Sequence, residues 1–186
     1  MNYHKTKAHD DMKTLICNSS KSKLVTMIHG DFWKNNMLFS EDDNKVCFID
    51  FQMLAINHPA NDFWYFLSIC TDSKWRRENL ESVIKAYFNV FIEYYARVPG
   101  LPDLTFGEFR AEIERQRPTA LILGAEVLPN VLSPNEINVH LFVMNDLKRK
   151  RAAEICGEDI EITPEIAEIR RRLIDLVEEA AAFNII

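Results

Sequence analysis

The sequence predicts an α+β fold that is mainly α-helical, with a small β element preceding a group of helices. Residues 24–52 contain short runs of β-branched and aromatic residues separated by turn-forming residues, a pattern typical of strands. From residue 59 onward, apolar residues recur at steps of three and four, which indicates amphipathic helices. We therefore divide the chain into a polar segment, 1–23, and one domain, 24–186, whose helical part spans 59–186.

Composition and charge exclude several classes of protein. The chain has 186 residues, of which 47% are hydrophobic and 27% are charged, and this is sufficient for one sizeable core. A net charge of −6 argues against nucleic acid as a partner, and the basic run 147–151 is typical of a solvated helix face. No apolar run approaches the ~20 residues of a membrane span, and the polar start lacks a secretory signal. We expect a cytoplasmic protein.

The four cysteines form no CxxC pair, so the sequence gives no support for a zinc or thioredoxin-like site. Cys47 and Cys70 lie in apolar runs, and we expect both thiols to be buried.

The β element is predicted to contain a strand followed by a hairpin. "KLVTMIHGD" is typical of a short strand that ends in a loop. "NMLF" and "KVCFIDF" are strand-like runs separated by "SEDDNK", whose residues favour tight reversals. The two runs are therefore expected to pair with each other.

Five segments are predicted to be helical. "ANDFWYFLSIC" follows Pro59, and a long helix follows it with an apolar stripe formed by Leu80, Val83, Ile84, Tyr87, Phe88, Phe91, Ile92 and Tyr95. Thr105 and Glu108 have capping-box spacing, and Pro118 should kink or split the helix that they begin. Residues 133–156 are a further candidate. The last helix has Thr163 as its cap and Pro164 in its first turn, with an apolar face of Ile166, Ile169, Leu173, Leu176 and Val177.

Three polar residues in the β element form a candidate site. A hairpin brings its two ends together, so Asn36 and Asp50 should face each other, with Asp31 beside them in the preceding loop. Carboxylate and amide oxygens are the ligands that Mg²⁺ prefers, and a further carboxylate can accept a proton from an attacking hydroxyl. Asp-x4-Asn followed by a strand that ends on Asp has the form of the protein-kinase arrangement for phosphoryl transfer.

Each of these residues also has a simpler interpretation. Asp31, Asn36 and Asp50 taken singly could be turn residues, although their combined spacing favours the site. His29 is more typical of a core histidine, and we assign it a supporting role. Asp62 could either cap the helix of "DFWYFL" or brace the loop.

The motifs resemble a known family. "HGD" with Asn36 and "FID" resembles the catalytic core of aminoglycoside phosphotransferases and choline kinases, which share the protein-kinase-like fold. The fuller strings "HGDFWKNNMLF", "CFIDFQ" and "HPANDFWYFL" resemble the ecdysteroid-kinase-like, or CHK kinase-like, family. "TFGEFRAEI" is similar to a helix start in the same family, and the resemblance spans roughly residues 24–150.

The resemblance implies a role for each candidate residue. Asp31 would be the catalytic base, and Asn36 and Asp50 would bind Mg²⁺. His29 and Asp62 would be structural, holding the catalytic loop in place. The co-substrate would be ATP, and the acceptor would be a small-molecule hydroxyl, that of an ecdysteroid or another lipophilic alcohol.

The part of such a kinase that precedes the catalytic loop is not evident in this sequence. Kinases of this fold use an N-terminal lobe with a flexible loop over the phosphates, but only 30 residues precede Asp31 and they hold no glycine cluster. We therefore expect the C-terminal lobe alone, as a fragment that need not turn over by itself. The alternative is a non-catalytic truncated kinase-like protein, whose exposed cleft is covered by a partner or binds a lipophilic ligand.

Overall fold

The computed structural model describes residues 24–41, 45–118, 121, 124–125, 127–128 and 164–182. This part of the chain is mostly helical and has two small antiparallel sheets, so the predicted α+β class with a helical majority is confirmed. The polar segment 1–23, the candidate helix 133–156 and the predicted cap Thr163 lie outside the described residues.

The strands form two separate pairs. They are β1 (Thr26–Ile28), β2 (Met37–Phe39), β3 (Val46–Phe48) and β4 (Ala55–Asn57). The predicted hairpin is confirmed, because β2 pairs with β3 and Leu38 lies opposite Cys47. β1 pairs with β4, with Met27 opposite Ile56, and the sequence did not predict this second pairing. Short 3₁₀ turns at Lys34–Asn36 and Phe51–Met53 connect the strands to the loops.

The helices begin and end close to their predicted positions. They are α1 (Ala60–Cys70), α2 (Ser73–Tyr95), α3 (Phe106–Arg115) and α4 (Pro164–Ala182). Thr105 and Glu108 form the predicted capping box, and α3 ends before Pro118, which cannot continue a regular helix. None of the helices in the described part of the chain is long and apolar enough to cross a membrane.

The main core lies between α1, α2 and α3. Its buried residues include Ile84 and Phe88 of α2 and Phe109 of α3, and all eight residues of the predicted α2 stripe are at least partly buried. Trp64 of α1 is fully buried, and its indole nitrogen donates a 2.7 Å hydrogen bond to the carbonyl oxygen of Ile113. Packing and this hydrogen bond together fix α1 against α3.

α4 contacts the C-terminal end of α1 through charged side chains. Arg172 donates hydrogen bonds from Nη2 to the carbonyl oxygens of Ser68, Ile69 and Thr71. A cation at this position stabilises the carbonyl groups that a helix leaves unpaired at its end.

Glu179 of α4 forms a buried ion triad with two arginines from other parts of the chain. Glu179 accepts hydrogen bonds from Arg76 at 2.7 Å and from Arg117 at 2.6 Å, and all three side chains are at most about one-tenth exposed.

The predicted burial of the two cysteines and the predicted apolar face of α4 are only partly observed, and Cys70 is half-buried. Cys47 is exposed, because β2 and β3 form only a two-stranded sheet and the face that Cys47 shares with Leu38, itself 55% exposed, is open in the described part of the chain. Val177 is 50% exposed, although Ile169 and Leu176 of the same predicted face are buried. Val177 follows Leu176 directly, and successive residues of a helix point about 100° apart.

Candidate functional site

The loop that follows β1 is held by Asp62 of α1. One carboxylate oxygen of Asp62 accepts a 2.6 Å hydrogen bond from the backbone N–H of His29, and the other accepts a 2.9 Å bond from that of Gly30. Gly30 has a φ of +82°, a conformation that glycine adopts without steric cost. These two contacts favour the bracing interpretation of Asp62, and its position in the first turn of α1 also suits a negative charge.

His29 connects this loop to the end of β3. Its side chain is buried, and its Nε2 donates a 2.8 Å hydrogen bond to the carbonyl oxygen of Ile49. Its Nδ1 accepts a longer, 3.4 Å bond from the backbone N–H of Asp31. Both bonds are satisfied by the neutral tautomer with its proton on Nε2. His29 therefore fixes the loop relative to the residue that precedes Asp50.

Both carboxylate oxygens of Asp31 accept hydrogen bonds. Oδ1 accepts from the hydroxyl of Tyr65 at 2.9 Å, and Oδ2 accepts from the amide Nδ2 of Asn36 at 2.9 Å. The same amide nitrogen also donates to the backbone oxygen of Asp31 at 2.8 Å. The structure thus brings Asp31 and Asn36 together, as their spacing predicted.

Sequence reasoning missed Tyr65 as a member of this site. Tyr65 lies three residues after Asp62 on α1, so the two side chains share a face of the helix and both reach the same loop. That spacing was a readable signal. Burial, together with the hydrogen bond to Asp31, raises the pKa of Tyr65 above its ordinary value, so the hydroxyl remains a protonated donor.

Asp50 is placed differently from the prediction. The strand register puts Ile49 opposite Asn36, with the Ile49 N–H donating to the Asn36 carbonyl oxygen at 3.0 Å, so Asp50 lies one residue beyond the facing position. Asp50 is exposed and has φ 60° and ψ 60°, which aspartate tolerates better than most residues. Its carboxylate accepts a 3.3 Å bond from Gln52, and within the described residues no hydrogen bond joins it to Asn36 or Asp31.

The donor atoms are compatible with Mg²⁺. No cluster of three or more His, Cys, Asp and Glu side chains that could hold a metal occurs among the residues described. The candidate set is smaller, and consists of the Asp50 carboxylate and the amide oxygen of Asn36, whose amide nitrogen is used by Asp31. Mg²⁺ prefers oxygen ligands and is typically held by one or two carboxylates together with substrate phosphates. Asn36 and Asp50 therefore offer the oxygen ligands that Mg²⁺ prefers, and substrate and water would supply the remaining ligands.

Trp33 and Lys34 follow Asp31 in the same loop. The indole nitrogen of Trp33 is buried and has no hydrogen-bond acceptor within the described part of the chain. The backbone N–H of Lys34 donates to the sulfur of Cys70 at 3.4 Å, which joins the loop to the C-terminal end of α1. Burial raises the pKa of the Cys70 thiol, so the thiol form is favoured there.

Comparison with known proteins identifies the family. A family model described as the ecdysteroid kinase-like family matches residues 1–99, a range that contains every candidate residue of the site. The match starts before residue 24 and ends before Thr105, so it differs at both ends from the range of the resemblance. Neither a curated protein nor a solved structure matches the chain. On the family match, which covers more than half of its length, the chain belongs to the ecdysteroid kinase-like family.

Proposed function

We propose that this protein is an ATP-dependent phosphotransferase that acts on a small-molecule hydroxyl, with ecdysteroids or other lipophilic alcohols as acceptors. Membership of the family supports a kinase-like phosphotransferase. We also propose that the described region corresponds to the C-terminal lobe of a kinase-like fold. The observation that carries the proposal is the Asp31 carboxylate, which is held at both oxygens next to Asn36.

Asp31 is the general base in this proposal. Each carboxylate oxygen can accept two hydrogen bonds, and Tyr65 and Asn36 each use one, so a lone pair remains for the acceptor hydroxyl. As the acceptor oxygen forms a bond to the γ-phosphorus of ATP and the bond to ADP breaks, the hydroxyl proton moves to Asp31. Such a base typically contributes about 10²–10⁴-fold to the rate.

Asn36 and Asp50 would hold Mg²⁺. When bound, the ion neutralises charge on the transferring phosphate groups. Asn36 is fixed by its two bonds to Asp31, so the base and one metal ligand form a single unit. Gln52 restrains the Asp50 carboxylate at 3.3 Å.

His29 and Asp62 would contribute by keeping the loop in place. His29 connects the loop to Ile49, and Asp62 holds its backbone from α1. Positioning accounts for a large part of catalysis in phosphoryl transfer, so movement of the loop by about 1 Å can cost about 10²-fold in rate.

The proposal is tested by assaying the full-length protein with Mg²⁺-ATP and a panel of ecdysteroids and lipophilic alcohols, with mass spectrometry of the products. Asp31→Asn should lower turnover by about 10²–10⁴-fold. Asp103→Asn, at an exposed position between α2 and α3, is the matched control and should leave turnover unchanged. Full activity of Asp31→Asn would exclude Asp31 as the base.

A second candidate function is non-catalytic binding of a partner or a lipophilic ligand. It is favoured by the large apolar side chains that the two sheets expose: Met27 is 63% exposed, and Phe39 and Ile56 are each 70% exposed. An apolar surface of this kind commonly marks an interaction site. Calorimetry that detected binding of a sterol but no affinity for Mg²⁺-ATP would support this candidate over the first.

A further inference from the structure

We propose that Tyr65 is a positioning residue that holds the Asp31 carboxylate in the orientation required by the acceptor hydroxyl. The inference rests on the proposed function, in which Asp31 is the base. The two residues are 34 positions apart in the sequence, and their side chains meet at 2.9 Å between the Tyr65 hydroxyl and Oδ1 of Asp31.

The carboxylate needs a second anchor because its last torsion is soft. Rotation of an aspartate carboxylate about χ2 is broad, so one hydrogen bond leaves its plane free to turn. Asn36 holds Oδ2 from the loop itself, and Tyr65 holds Oδ1 from α1, a separate element. Two donors on two oxygens fix the plane, and hence the direction of the lone pairs that remain.

The position of Tyr65 is itself well fixed, because α1 is anchored at several points. Trp64, the preceding residue, is fully buried and hydrogen-bonded to Ile113. Arg172 of α4 holds the carbonyl groups at the end of α1. Asp62 of the same helix holds the backbone of the loop. α1 therefore fixes both the main chain of the loop and the Asp31 carboxylate.

The phenol group suits this task chemically. Tyr65 is half-buried, and burial together with the bond to Asp31 raises the pKa of its hydroxyl, which therefore acts as a donor throughout the physiological pH range. A neutral donor orients a carboxylate while lowering its basicity less than the positive charge of a guanidinium would.

The first test is structural and does not require turnover. Tyr65→Phe removes only the hydroxyl, and a crystal structure of this variant should show the Asp31 carboxylate rotated or in two orientations. Tyr94→Phe is the control, because Tyr94 is 62% exposed on α2, and this variant should keep the original orientation. A single, unchanged orientation of Asp31 in Tyr65→Phe would overturn the proposal.

The second test is kinetic and separates positioning from general stability. Tyr65→Phe should lower kcat by roughly 10–100-fold and leave KM for ATP unchanged, since only the base is displaced. In the Asp31→Asn background the same change should have no further effect, because the group through which Tyr65 acts has been removed. An equal loss of kcat in the unmodified and the Asp31→Asn proteins would show that Tyr65 does not act through Asp31. If the unmodified full-length protein phosphorylates no acceptor, the proposed function fails, and the crystal structures still decide whether Tyr65 orients Asp31.

Discussion

A Cβ atom added at Gly30 would lie 2.2 Å from the carbonyl oxygen of Met53. The loop after β1 therefore passes directly against the 3₁₀ turn that follows Asp50, at a distance that only glycine permits. The backbone beside Asp31 is thus restricted to one path by this contact, by the φ of +82° at Gly30 and by the two backbone N–H groups that donate to Asp62.

Gly30→Ala should destabilise the protein much more than Gly100→Ala. Both glycines have a φ of +82°, but nothing lies within 4 Å of a Cβ at Gly100. The φ penalty alone is about 1–2 kcal/mol, whereas Gly30→Ala adds an overlap with backbone that cannot move aside. Urea unfolding of the two variants measures the difference. Equal losses in the free energy of unfolding would mean that the contact with Met53 is not close in solution.

Asp50→Asn should weaken Mg²⁺ binding without disturbing the backbone. Asparagine tolerates the left-handed conformation at this position as well as aspartate does, and it keeps an oxygen but loses the charge. We expect the affinity for Mg²⁺, titrated in the presence of a non-hydrolysable ATP analogue, to fall by about tenfold or more. Asp103→Asn again serves as the control. Unchanged affinity would remove Asp50 from the metal site.

The free energy of unfolding should fall as the pH is lowered from 6.5 towards 4. His58 is fully buried and accepts a 3.0 Å hydrogen bond from the Ala60 N–H. Burial lowers the pKa of His58 to about 4, even though Glu112 lies 3.6 Å away and acts in the opposite direction. In the unfolded chain His58 gains a proton near pH 6.5, whereas in the folded protein it remains neutral until about pH 4. The stabilisation that neutral His58 contributes is therefore complete above pH 6.5 and is lost as the pH falls from 6.5 to about 4.

His58→Asn provides the comparison for this pH dependence. Asparagine can still accept the bond from the Ala60 N–H but does not titrate. Urea unfolding at a series of pH values should show a smaller decline for this variant between pH 6.5 and 4. Parallel curves for the two proteins would assign the pH dependence to other groups.

Glu179→Ala should be strongly destabilising, because it leaves Arg76 and Arg117 buried without their shared carboxylate. Breaking a buried pair in this way typically costs about 3–5 kcal/mol. Glu168→Ala is the matched control on the same helix, because Glu168 pairs with Arg171 at the surface and such pairs contribute about 0–1 kcal/mol. Chemical denaturation of both variants gives the comparison. Similar losses would argue that the triad is solvated.

The sequence predicted those parts of the fold that depend on local patterns. Pro59 and an apolar run located α1, periodicity located α2, and turn chemistry located the β2–β3 hairpin, because these signals involve residues close in the chain. The pairing of β1 with β4 was missed because Ala55–Asn57 is too short to show alternation. The two strands are also separated in the sequence by all the residues of the loop and the hairpin. Cys47 was predicted to be buried from its apolar neighbours, but burial also requires a second layer that covers the strand.

In the candidate site, too, contacts between residues close in the sequence were predictable and contacts between distant residues were not. The spacing of Asp31 and Asn36 in the sequence indicated their contact, since both lie in one short loop. Tyr65 was missed, although its spacing from Asp62 was a signal, because an aromatic residue in an apolar helix is usually interpreted as packing. The left-handed backbone at Asp50 depends on the following turn and has no signature in the sequence.

The three tryptophans give this molecule built-in optical reporters. Trp64 lies in the core, Trp75 is 40% exposed on α2, and Trp33 is in the loop two residues after Asp31. Emission from Trp64 should stay at short wavelength until the core opens, which makes it a label-free signal for unfolding. In a Trp75→Phe protein, the remaining change in fluorescence upon addition of nucleotide or acceptor would come chiefly from Trp33. Ligand titrations and folding experiments can thus both be followed by intrinsic fluorescence, without an added label.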